Sequence, residues 1–146
     1  MFPTICRKAY ITGYGEILKQ FSLSKKKRLI SNNQFEAVLA RNVRVANGLL
    51  VLYVAENDCN YPRLGISVGK SCGGAVQRNR LKRLLREAFR QSQDCIAPGF
   101  DYLLMISPQL SKKLNASSSK ETMRQLKFEQ VKTSLLALVD AATGRV

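Results

Sequence analysis

The sequence predicts a single-domain α/β (α+β) sandwich, with a four-stranded, mainly antiparallel sheet packed against three helices. Three observations lead there. The chain has 146 residues, enough for one core and too few to expect two. Short runs rich in β-formers recur between turn residues. Three further stretches carry apolar residues at helical spacing.

Residues 1–24 have little periodic pattern and place Gly13 and Gly15 around Tyr14, the composition of a flexible N-terminal extension. The domain is expected over residues 25–142, with a short tail at 143–146. Lys25-Lys26-Lys27-Arg28 forms a basic arm leading into Leu29 and Ile30. Ser31-Asn32-Asn33 then offers caps for a first helix with Phe35, Val38 and Leu39 turned inward.

From Val43 to Ala55 β-formers dominate, and Asn47-Gly48 divides them as a hairpin turn would. After the polar turn Glu56 to Pro62, Arg63-Leu64-Gly65-Ile66-Ser67-Val68 reads as a third strand, most simply continuing an antiparallel meander. Ala75 to Gln91 is helical. Pro98-Gly99 punctuates its exit, Asp101 to Ile106 supplies the fourth strand, and Pro108 ends it. Gln109 to Ser119 reads as a polar, serine-rich insertion. Met123, Leu126, Val131, Leu135, Leu136, Leu138 and Val139 give the last segment an apolar helical face.

The formal charge of +14, from 24 Lys and Arg against 10 Asp and Glu, calls for a polyanionic partner. No run approaches the roughly 20 apolar residues that cross a bilayer, and the N-terminus lacks the apolar core of a secretion signal. A cytoplasmic protein that binds nucleic acid rather than membrane is expected. Cys6, Cys59, Cys72 and Cys95 include no C-x-x-C pair, and there is no histidine to complete a mixed zinc site, so reduced thiols are the default.

On a helical wheel Lys82, Arg86, Asn79, Arg90 and Arg83 share one arc of about 100°, opposite Leu84, Ala88, Leu81, Leu85 and Phe89. Arg78 and Arg80 flank the cationic stripe at its N-terminal end. Most charged helix faces are merely solvated, but those mix signs. Here Arg78, Lys82, Arg86 and Arg90 form an i, i+4 row of like charges, which costs a few tenths of a kcal/mol per pair unless an anion compensates. Arginine forks suit phosphates and stack on bases. Asn79 either reads a base edge or holds the helix entrance.

Gly65 to Ser71 resembles a P-loop but has three residues, not four, between its glycines. Gly69, Gly73 and Gly74 fit a flexible connection whose amides and Lys70 lie near a polyanion. Zero histidines and scattered carboxylates leave no catalytic or metal-binding constellation within the chain.

The stretch Arg63 to Ile106 resembles the protein subunit of bacterial ribonuclease P. The likeness rests on Arg63-Leu64-Gly65-Ile66-Ser67-Val68, on the helix from Gly74 through Arg78-Asn79-Arg80 to Arg90, and on the Pro-Gly and strand that follow. It extends upstream through Leu29, Phe35, Val45-Ala46-Asn47 and Val51-Leu52-Tyr53. The resemblance implies a fold with a left-handed crossover and a function as partner of a catalytic RNA that removes the 5′ leader from precursor tRNA with Mg2+. The magnesium would be bound mainly by the RNA, and none by this chain alone.

It further implies that Arg78, Asn79, Arg80, Lys82, Arg83, Arg86 and, more peripherally, Arg90 contact the catalytic RNA. Phe35, Val51, Tyr53 and Lys70 would line a cleft for the single-stranded leader. For Phe35 and Val51, plain core packing is an equal reading. Leu39 and Ser71 depart from the family, standing where many relatives have an aromatic residue and a lysine. A basic helix alone would equally suit a ribosomal or other structural RNA-binding protein, which co-purified rRNA would reveal. A self-contained metal-dependent nuclease would cleave without RNA.

Overall fold

In the computed structural model, which describes residues 23–115 and 126–144, the four β-rich runs join one sheet. The strands are β1 (Val43–Ala46), β2 (Leu50–Glu56), β3 (Arg63–Ser67) and β4 (Phe100–Ile106), and the helices are α1 (Asn32–Arg41), α2 (Ala75–Gln91), α3 (Pro108–Asn115) and α4 (Phe128–Thr143). The N-terminal extension before residue 23, Met123 and the end of the serine-rich stretch lie outside the described residues.

Two expectations are corrected. The strand order is β1-β2-β4-β3, so β3 does not continue a meander. β4 enters between β2 and β3, antiparallel to β2 and parallel to β3, which makes the sheet mixed. The cause is α2: a parallel neighbour needs a crossover, and this helix supplies it. The second correction is a fourth helix, where a polar insertion was expected. Ser107 accepts the N–H of Leu110 at 3.1 Å, as an N-cap does. Pro108 occupies the first helical position, where its missing N–H costs nothing. Leu110 and Leu114, one turn apart, are both buried in the main core.

The hairpin between β1 and β2 forms where Asn47-Gly48 placed it. Its turn depends on the Asn47 side chain, which accepts the N–H groups of Leu49 and Leu50, both at 2.9 Å. Gly48 is not in the left-handed region; among the described glycines only Gly73 and Gly99 have positive φ.

Alternation along the strands divides the sheet into two faces. Leu52, Val54, Tyr102 and Leu104 form the main core with Leu81, Leu85, Ala88 and Phe89 of α2 and Val131, Leu135, Leu138 and Val139 of α4. The Tyr102 hydroxyl donates to Ala97 O at 2.9 Å, and burial raises its pKa well above the ordinary tyrosine value. On the other face, Val38 of α1 joins Leu29, Ala55 and Leu103, with Phe35, Tyr53 and Met105 half-buried at the margin. Helix α1 starts at a complete capping box between Ser31 and Gln34 and stops at Asn42, in the left-handed conformation with φ 56°. Leu39, expected inward, is 39 % exposed, because the sheet engages only the Phe35 and Val38 side of the helix.

Cys59 and Cys72 are free thiols. Cys95 departs from the expectation and is disulfide-bonded; spacing along a chain does not reveal a pairing that folding creates.

Candidate nucleic-acid interface

The connection from β3 to α2 opens the helix without an acidic cap. Gly73 has φ 115°, a conformation that a side chain resists. Gly74 is the N-cap, with no side-chain hydrogen bond to the first-turn amides and no acidic residue in that turn. Arginines stand in the first two turns instead, against the positive end of the helix dipole, an arrangement that favours an anion from outside.

The wheel expected for α2 is the one observed. Leu81, Leu85, Ala88 and Phe89 are buried, and Leu84 is partly buried. Asn79, Arg80, Arg83 and Arg86 are exposed, while Arg78, Lys82 and Arg90 are half-buried. Arg78 Nε is shielded from solvent with no hydrogen-bond partner among the described residues. Asn79 is exposed and no hydrogen bond of its side chain holds the helix entrance among the described residues.

The seven expected RNA-contact residues therefore share one helix but not one electrostatic state. Arg90 Nε donates to Glu87 Oε2 at 2.9 Å, and Arg90 Nη2 pairs with Glu87 Oε1. Hydrogen bonds from Arg90 and then Gln91 lower the Glu87 pKa from 4.5 to about 2. Arg80, Lys82, Arg83 and Arg86 pair with no carboxylate among the described residues. Successive members of the i, i+4 row stand about 6 Å apart along the axis. A helix locked in the core by its apolar side thus presents Lys82 and Arg86 of that row at fixed spacing with no carboxylate partner among the described residues, which suits phosphates along a polynucleotide strand.

The residues expected to line a leader cleft are less closely gathered. Phe35 and Tyr53 belong to the same cluster on the α1 face. Register places Arg44, Tyr53, Leu103 and Gly65 in one row across the sheet, and Ala46, Val51, Met105 and Ser67 in the next. Val51 therefore shares the face of Tyr53, but it is buried. Lys70 is exposed in a 3-10 turn, Lys70–Cys72, beyond the end of β3. The neighbouring Ser71 hydroxyl meets that of Ser111 in α3 at 2.8 Å.

Gly65 matters to this face because α1 sits directly on it. A Cβ there would stand 2.8 Å from the Phe35 ring and 3.0 Å from Leu29 Cδ1. In the sequence this glycine stood in a P-loop-like spacing one residue too short, and its role as the bare spot on which the aromatic ring rests was not legible there.

The model of the ribonuclease P family matches residues 23–142. The chain belongs to the ribonuclease P protein family. It is 33% identical over 119 residues to the ribonuclease P protein component of Clostridium botulinum strain Loch Maree, covering 81% of this chain and 96% of that one. The corresponding component of Geobacillus kaustophilus is 31% identical over 123 residues, 84% of this chain and 91% of the relative. The solved RNase P protein from Thermotoga maritima superposes with a TM-score of 0.66 at 30% identity, over 77% of this chain and 94% of that one. The Staphylococcus aureus RNase P protein gives 0.62 at 29% identity, over 80% and 94%. The ribonuclease P match starts where the described structure starts and ends within α4, so the basic helix and both faces of the sheet lie inside it.

Two further properties bear on chemistry. Among the described residues, no group of three or more His, Cys, Asp or Glu side chains is placed to hold a metal ion. No described helix is long and apolar enough to cross a membrane.

Proposed function

We propose that this chain acts as the protein subunit of a ribonucleoprotein endoribonuclease that removes the 5′ leader from precursor tRNA, in the cytoplasm. It binds the catalytic RNA along α2 through Arg78, Asn79, Arg80, Lys82, Arg83 and Arg86, with Arg90 at the periphery. The observation that carries this reading is the outward face of α2, where Arg80, Lys82, Arg83 and Arg86 pair with no carboxylate among the described residues, in a chain of this family.

Phosphodiester hydrolysis belongs to the RNA in this reading, and Mg2+ is bound mainly there. The metal supplies charge neutralisation and an activated water when bound. No three His, Cys, Asp or Glu side chains of the described residues are placed together to hold a metal, which supports leaving the Mg2+ with the RNA in this reading. The protein's own contribution is positional. Its guanidinium groups neutralise phosphates that otherwise repel one another, which lowers the magnesium needed to fold the complex. On the opposite face of the sheet, Tyr53 and Phe35 offer aromatic surface to an unstacked leader base; Val51 extends the floor in the next row, and Lys70, in the turn beyond β3, serves as a phosphate contact.

The test is cleavage of precursor tRNA by the cognate catalytic RNA at moderate salt, titrated with magnesium with and without this chain. The expected result is cleavage at several-fold lower magnesium when the protein is present. An unchanged magnesium requirement, together with unchanged leader affinity, would contradict the proposal.

A further inference from the structure

The basic arm before α1 is held along the outer edge of β3. Leu29 N–H donates to Leu64 O at 2.8 Å, and Arg28 forms a parallel bridge with Leu64. Lys27 Nζ reaches Gln93 Oε1 at 3.4 Å. Held there, the arm closes a cavity of about 380 Å³ between itself, α1 and α2. Lys25 and Arg28 from the arm line it together with Lys82 and Arg86 from α2. Its apolar walls are Leu29, Ile30, Phe35, Leu64 and Ile66.

A second cavity, of about 770 Å³, shares Lys25, Arg28 and Ile30 with the first and continues past Tyr61 to the capping residues Ser31 and Gln34. The two form one groove around the free edge of the sheet. Among the described residues no carboxylate lines either part, and Arg63 of the second is already held by Asp101. The five other cations, Lys25, Lys26, Arg28, Lys82 and Arg86, concentrate phosphate, whereas the apolar walls between them offer nothing to a free inorganic ion. The combination matches a nucleotide whose base is out of its stack, with its phosphates held at the rim. The first cavity has the size of a small-molecule pocket, which admits a splayed nucleotide and no duplex.

We infer that this edge groove takes unpaired nucleotides of the same catalytic RNA that α2 docks. The inference rests on the role proposed for α2. The source is assigned to the catalytic RNA because Lys82 and Arg86 belong at once to the groove and to the outward row of that helix. The arm thus extends the RNA footprint from one helix to the sheet edge and sets the angle at which the RNA crosses the domain.

A photo-crosslinking amino acid placed at position 30 in the full chain tests this, since Ile30 is 60 % exposed at the junction of the two cavities. A second probe at position 83, on α2, serves as reference. In the holoenzyme with precursor tRNA, the position-30 probe is expected to mark unpaired nucleotides of the catalytic RNA. Crosslinks from position 83 but none from position 30, or position-30 crosslinks to the leader alone, would overturn the groove assignment and leave the α2 reading standing. Absence of RNA crosslinks from both would overturn the two together. Independently, Lys25→Ala with Arg28→Ala is expected to weaken binding to the catalytic RNA alone roughly tenfold and to flatten its salt slope by about two, with melting unchanged. Unchanged affinity and slope would also overturn it.

Discussion

Arg63 and Arg86 stand on consecutive elements, one on β3 and the other on the helix that follows, and their guanidinium groups meet different surroundings. Arg63 lies beside Asp101 in the parallel register of β3 and β4 and grips both carboxylate oxygens at 2.6 Å. Asn57 Nδ2 donates to the same carboxylate at 2.7 Å. The hydrogen bonding of Arg63 itself to Asp101 raises the Arg63 pKa above its ordinary value. Arg86 is exposed and has no carboxylate partner among the described residues. The first arginine is used up inside the fold, tying two strands together. The second is exposed and in no ion pair among the described residues, so its charge remains available to an anion. A net charge of +14 says that a polyanion is wanted; only the pairing says which cations remain to meet it.

The largest effect should follow from breaking the internal pair. Asp101→Ala leaves a partly buried guanidinium without its partner. It is expected to cost about 2–4 kcal/mol, toward the low end for buried pairs because the Arg63 side chain keeps 22% exposure. Urea denaturation reads this directly, and the folded fraction should bind RNA as before. A variant of wild-type stability would mean that this arginine, too, is free.

Next comes the contact under α1. Gly65→Ala forces the Phe35 ring or Leu29 to move and is expected to cost about 1–3 kcal/mol as overpacking. Affinity for the leader and for the catalytic RNA should both fall, because the disturbed ring borders the α1 face of the sheet and also lines the edge groove. Unchanged affinity for both would take the ring out of either interface.

Arg90 supplies the intermediate case, paired on the very helix where Arg80, Lys82, Arg83 and Arg86 have no carboxylate partner among the described residues. Glu87→Gln releases it, with a stability change of about 1 kcal/mol or less for a surface pair. The salt slope of RNA binding should steepen by about one if the freed arginine reaches a phosphate. The pH dependence has a definite sign. Because the folded-state pKa of Glu87 is lowered from 4.5 to about 2, its contribution is complete above about pH 4.5 and is lost as pH falls through 2. The wild-type advantage over Glu87→Gln in thermal melting should shrink across that window, and a constant difference would remove the ion pair from the account.

Local signals and long-range consequences differ in how legible they are. The helix from Ala75 to Gln91 shows its two faces in its spacing, and Asn47-Gly48 shows its turn. Ser107-Pro108 with Leu110 and Leu114 signals a short helix just as locally, but the surrounding serines and lysines masked it. The Arg90–Glu87 pair was also within reach, its partners lying three residues apart on one helix. By contrast, Arg63 and Asp101 are 38 positions apart and meet only because β4 inserts beside β3. No periodicity states that. The placement of the Lys25 to Arg28 arm against Leu64 is of the same kind: its charge was visible, but its edge position was not.

The most direct test of the difference between paired and unpaired arginines is a double variant, Arg83→Ala with Arg86→Ala, measured twice. Binding to the cognate catalytic RNA is followed from low to moderate salt, and urea denaturation is followed on the same preparation. The salt slope is expected to be smaller by about two and binding weaker at every salt, with stability within about 0.5 kcal/mol of wild type. An unchanged slope, or a loss of stability large enough to explain the weaker binding, would show that the outward face of α2 serves the fold or the solvent and not the RNA.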